Sequence, residues 1–149
     1  MRKALSIAVL LGTVVLGVAL AKPTPEERIL FEAVNRERHK VGLSALRWDD
    51  ALAAAARQHA SAMAKHRSVA HTLAGEPSLP GRATRAGVHF SSLAENIVVA
   101  QDSESAHEAF LHSPNHRANM MDTEMDSIGI GMVERGGQVY VVEDFAKGK

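Results

Sequence analysis

The chain closes on two β-rich runs, residues 128–133 and 139–145, joined through Arg135, Gly136, Gly137 and Gln138. Paired glycines between strand-forming runs signal a hairpin. The segments ahead of it carry helical spacing instead. Helices first and strands last, with short connections and no internal repeat, define an α+β class in which helices cover a small, mainly antiparallel sheet.

A first helix is expected over residues 25–39. Thr24 is placed to cap it, Glu27 three residues on completes a capping box, and Pro25 suits the first helical position. Ile29, Leu30, Ala33 and Val34 form its apolar stripe, and Gly42 follows its end. A second helix opens at Asp49 or Asp50, with Trp48 as a staple from outside, and runs to about His66. Leu52, Ala55, Ala56, Ala60 and Met63 recur at helical spacing, and their small size predicts close packing against another element. Residues 67–96 are punctuated by Gly75, Pro77, Pro80, Gly81 and Gly87, leaving room for one short helix over 82–86. Residues 97–100 read as a short buried strand or the start of a helix. A helix follows over 103–111, capped by Asp102 or Ser103. A last one runs from Pro114 to Met121 with Ser113 as its N-cap.

The first twenty-one residues stand apart. Arg2 and Lys3 precede an apolar stretch from Ala4 to Ala19, and Ala19-Leu20-Ala21 is the small-x-small pattern a signal peptidase accepts. The stretch is short for a membrane span, which needs about 20 apolar residues. The expected organisation is a signal peptide at 1–21 and one domain at 22–149, with no stable span once the leader is removed. An uncleaved anchor is the rival reading. The mature domain carries 15 basic against 17 acidic side chains, a formal charge of −2, and no basic run, which argues against nucleic acid as a partner. The chain contains no cysteine. An exported domain of this kind folds on its core alone, and thiol nucleophiles, thiolate metal sites and lipidated cysteines are excluded.

Chemistry has to come from elsewhere, and eight histidines are on offer. His39 falls at a helix C-terminus and reads as surface. His59 and His66 share the Leu52/Met63 helix face and read as half-buried residues with local hydrogen bonds. His89 and His107 have no ligand-like spacing. His112 and His116 are four apart, but Pro114 lies between them and breaks helical continuity. His71, Glu95 and His116 form a spread-out set. Two imidazoles and a carboxylate suit a divalent metal with an open position, although nothing in the spacing brings the three together.

At these residues the chain resembles the CAP superfamily of cysteine-rich secretory, antigen 5 and pathogenesis-related proteins, in its cysteine-free bacterial SCP form. The resemblance spans about residues 26–145. It rests on Val34-Asn35-Arg36, Gly42-Leu43, Leu46, Trp48, Leu52, His71-Thr72, Arg82, Gly87, Ala94-Glu95-Asn96-Ile97, Ser113-Pro114-Asn115-His116-Arg117-Ala118-Asn119-Met120 and Ile128-Gly129-Ile130-Gly131. It implies a three-layer α-β-α sandwich with a surface cleft where the family sets two histidines and two glutamates. His71, Glu95 and His116 match three of these, as a set for Zn²⁺ or another divalent metal. Ser113 stands where the second glutamate belongs. Glu143, on the same strand face as Phe145, replaces that carboxylate if its face turns toward the cleft; otherwise it is solvated or salt-bridged at a sheet edge. Asn96 is expected to bond the loop that positions Glu95, Arg117 to clamp the site, and Ser113 to use its hydroxyl as a helix cap.

Three functions compete. One is an extracellular or periplasmic binding module for a lipid, glycan, wall polymer or protein, with or without metal. The second is a metal-assisted peptidase or esterase using the same cleft, with Glu95 as base. The third is a metal-free structural tie of His71 and His116 through Glu95.

Overall fold

The computed structural model describes residues 22–149, so the leader segment lies outside the described residues. Five helices and four strands follow in the order α1 (Pro25–Lys40), β1 (Arg47–Trp48), α2 (Asp50–His66), α3 (Leu79–Arg85), β2 (Phe90–Ala100), α4 (Ser103–His112), α5 (Pro114–Met120), β3 (Ser127–Arg135) and β4 (Gln138–Gly148). The strands form one sheet in the order β1-β3-β4-β2. β4 pairs antiparallel with both neighbours, and β1 runs parallel to β3. The hairpin turns through Gly136 and Gly137, with φ of +64° and +76°. A two-residue turn with both φ positive matches the right-handed twist of the strands it joins.

The sheet separates two apolar layers. On one side Leu30 and Val34 of α1, Phe110 of α4 and Met120 of α5 pack with Ile128, Ile130, Val141 and Phe145. On the other, Ala56, Ala60 and Met63 of α2 pack with Ile97, Tyr140 and Val142. This is the three-layer sandwich the resemblance implies. The alanine face of α2 meets Gly129 and Gly131 of β3. A Cβ at Gly129 would lie 2.1 Å from the Ala53 nitrogen, and one at Gly131 2.3 Å from the Ala56 carbonyl carbon. Helix and strand therefore touch backbone to backbone, which only glycine permits.

The capping box of α1 forms as expected between Thr24 and Glu27. Asp49 caps α2, and Asp102 caps α4. Four expectations need correction. Trp48 is no staple for α2: it belongs to β1, its ring meets Phe31 edge-on at 5.6 Å, and its indole N–H donates to Asp50. β2 begins at Phe90 rather than near residue 97, because its Glu95 and Asn96 are buried polar residues that mask the strand pattern. α3 starts at Leu79, a turn earlier than expected. Ser113 precedes α5, yet its hydroxyl makes no cap bond; Pro114 at the first turn starts that helix.

Candidate functional site

β2 sets up the site by presenting neighbouring polar side chains to opposite faces of the sheet. Glu95 projects toward the α2 and α3 side. One of its oxygens lies 2.8 Å from Nδ1 of His71, and the other accepts from the guanidinium of Arg82. A carboxylate partner fixes the His71 tautomer, with the proton on Nδ1 and Nε2 left facing outward from an exposed ring. Arg82, buried on α3, also donates to the carbonyls of His71 at 3.0 Å and Pro77 at 3.1 Å. One guanidinium thus holds both the carboxylate and the loop that carries the histidine.

Behind Glu95 the network continues inward. Nδ1 of His59, fully buried on α2, bonds Glu76 at 2.8 and 2.9 Å, while its Nε2 has no hydrogen-bond partner and sits 3.9 Å from Glu95 Oε2. Asp144 of β4 is directly opposite Glu95 in register, fully buried, with no donor to either oxygen. Burial first, then the charge and hydrogen bond of Glu95, push the Asp144 carboxyl well above its usual range against the pull of Arg82. The neutral form of Asp144 is accordingly favoured over the carboxylate.

The other half of the cleft is α5. The half-buried ring of His116 lies edge-on to Phe110 at 5.2 Å. Burial, and secondarily the nearby His71, lower its pKa below the ordinary histidine value. Asn96 reaches the opposite sheet face from Glu95. Its amide donates to the His116 carbonyl and to Glu143, each at 3.1 Å, and its oxygen accepts from Asn119 at 2.9 Å. It therefore anchors α5, where the sequence suggested the Glu95 loop. Glu143 is fully buried in the central strand and is neither solvated nor at an edge. Burial pushes its pKa up to about 7, with the Asn96 bond opposing.

The residues singled out from sequence thus separate. His71 and Glu95 meet, and His116 stands close by. Arg117 is exposed and its side chain makes no hydrogen bond or ion pair among the described residues, while Arg82 holds both Glu95 and the His71 loop. His39, His66, His89 and His112 are exposed. Arg82, His59, Glu76 and Asp144 were missed as site residues. The signal that could have found Asp144 was Glu143-Asp144, two acids in succession within an otherwise apolar strand.

A metal fits this donor set poorly. Both Glu95 oxygens are engaged, and among the described residues no group of three or more His, Cys, Asp or Glu side chains is placed to hold an ion. What remains for a ligand is the outward face of two imidazoles.

The model of the cysteine-rich secretory protein family, CAP, matches residues 31–145. The chain belongs to this family. The CAP domain is 28% identical over 125 residues to an uncharacterized membrane protein of Bacillus subtilis, YlbC, covering 83% of this chain and 35% of that one. It spans 35%, 43% and 65% of the length of three curated relatives it matches. An outer surface protein of Borrelia burgdorferi superposes with a TM-score of 0.79 at 24% identity, covering 87% of this chain and 97% of that one. NaASP2, crystallised with Zn²⁺, gives a TM-score of 0.62 at 16% identity over 85% of this chain and 82% of that one. At these identities the structural likeness establishes the fold. Among the described residues of this CAP chain, no helix is long and apolar enough to cross a membrane.

Proposed function

We propose that this CAP domain is exported and acts as a binding module, taking an extracellular lipid, glycan, wall polymer or protein at the cleft between His71 and His116. Glu95 is the observation that carries the reading. His71 and Arg82 hold its two oxygens, so it is available neither as a free general base nor as a metal ligand without dismantling the contacts beneath it. The hydrolase reading asks that same carboxylate to activate water, and the chain has no cysteine to serve as an alternative nucleophile. Export is supported by the leader pattern of residues 1–21, with cleavage after Ala21, and by likeness to an outer surface protein.

The test is an NMR shift screen against phospholipid vesicles, chito-oligosaccharides and soluble wall fragments. Saturable shifts centred on His71, His116 and their neighbours, lost in His71→Ala and His116→Ala, are expected with one of these probes. Shifts confined to another surface would sink the assignment of the cleft. Calorimetric titration with Zn²⁺ checks the metal: two imidazoles predict weak binding, and tight one-to-one binding lost in both variants would restore a metal centre.

A further inference from the structure

Glu143 lies in the middle of the central strand, between Asn96 of β2 and Ile130 of β3, with its side chain sealed from solvent. One oxygen accepts from the Asn96 amide, and the other has no donor. No charged group of the surrounding elements pairs with Glu143 among the described residues. Arg38 of α1 gives its guanidinium to the carbonyls of Ser44, Met120 and Asp122. His107 of α4 lies in the field of Glu37 and Glu108. His116 of α5 meets Phe110, and Arg117 points to solvent. Across the sheet, His59 of α2 and Arg82 of α3 serve the Glu76, Glu95 and Asp144 cluster.

Asn96 transmits the state of Glu143. Besides Glu143 it holds the His116 carbonyl and the Asn119 amide, two points on α5. That helix has seven residues and buries only Met120. On the other flank of β4, β3 is wedged against the α2 backbone. α5 is therefore the element that can yield when a carboxylate in the strand needs water, because a buried charge with a single hydrogen bond is far less stable than a hydrated one.

We propose that Glu143 is a proton-operated latch on α5: with its proton it lets Asn96 clamp the helix to the sheet, and without it the helix lifts and admits water to the carboxylate. Burial places the transition near neutrality. Since α5 carries His116, the latch would regulate the cleft of the binding reading and in that role rests on it. The helix motion itself is read without any ligand.

With the carboxyl titrating at about 7 in the closed state and near 4.5 when hydrated, linkage raises the opening constant of α5 about 30-fold between pH 5.5 and 8.5. Amide hydrogen exchange on the full chain, corrected for intrinsic rates, reads this at Ala118, Asn119 and Met120. Protection of these amides should fall by that factor relative to α2 and β3, and Glu143→Gln, neutral at both pH values, should abolish the fall. Equal protection at both pH values in the wild type, or an undiminished fall in Glu143→Gln, overturns the latch. The ¹³C shift of the Glu143 carboxyl is an independent reading that does not depend on the variant folding. A midpoint near 7 supports the latch, and one near 4.5 overturns it. A failed ligand screen beside an intact latch would count against the binding reading alone.

Discussion

Strands β2 and β4 bury acids on both faces of one sheet, and the two faces handle them differently. On the α2 and α3 side, Glu95 and Asp144 sit opposite one another, joined by Arg82, His71, His59 and Glu76. On the α5 side, Glu143 meets only the amide of Asn96. The first face is a network in which a guanidinium offsets one carboxylate and burial favours the neutral form of the next. The second has no countercharge, so protonation is the only means of neutralising it. Equal burial thus gives a cross-linked scaffold on one side and a joint held by a single amide on the other. Both halves of the cleft rest on these faces, His71 on the first and His116 on the second.

The largest expected effect comes from removing the cation. Arg82→Ala leaves Glu95 charged beside Asp144 and frees the His71 loop, and breaking a buried ion pair of this type costs about 3–5 kcal/mol. Urea unfolding at pH 7 measures it, and a loss below about 1 kcal/mol would mean the network does not hold this face.

Next comes pH. The folded pKa of Glu143 lies above its unfolded value, so the native state binds the proton more tightly and stability is fully present below about 4.5. It is then lost as pH rises through about 7, by about 3 kcal/mol in all. Asp144, also raised, adds in the same direction. His107 and His116, held neutral chiefly by burial, act oppositely and weaken the fold as pH falls below the ordinary histidine range. Unfolding curves should therefore show a mildly acidic optimum and a decline toward pH 9; a protein most stable at pH 9 would contradict the burial of both acids.

A smaller effect separates the faces more sharply. Asp144→Asn keeps a neutral side chain of the same shape opposite Glu95 and removes the titrating proton, so it should change stability by less than about 1 kcal/mol at pH 6 and exceed wild type at pH 9. A loss at pH 6 as large as that of Arg82→Ala would show that Asp144 is ionised. The smallest effects belong to the two sequence candidates that the fold leaves idle: Arg117→Ala and Ser113→Ala should each stay within about 0.5 kcal/mol of wild type in thermal unfolding.

The same division explains what the sequence made legible. Thr24 and Glu27 are three residues apart, so their capping box is written in one turn of chain, and the Gly136-Gly137 hairpin is equally local. β1 was invisible because its two residues become a strand only by pairing with Ser127 and Ile128, some eighty positions away. β2 was truncated for a related reason. Alternation of apolar residues identifies a strand when polar residues face water, and here Glu95 and Asn96 face inward. The His71–Glu95 contact was expected only through family resemblance, since nothing local joins residues 24 apart. The choice of Arg82 over Arg117 as clamp depends on where α3 docks, which no single-chain pattern encodes.

The contact of α2 with β3 carries a mechanical consequence. Where glycine lets two backbones meet, no layer of side chains remains to cushion relative motion, and the pair should respond to load as one stiff slab. The loop that carries His71 leaves the end of that same helix, so the slab serves as its rigid mounting.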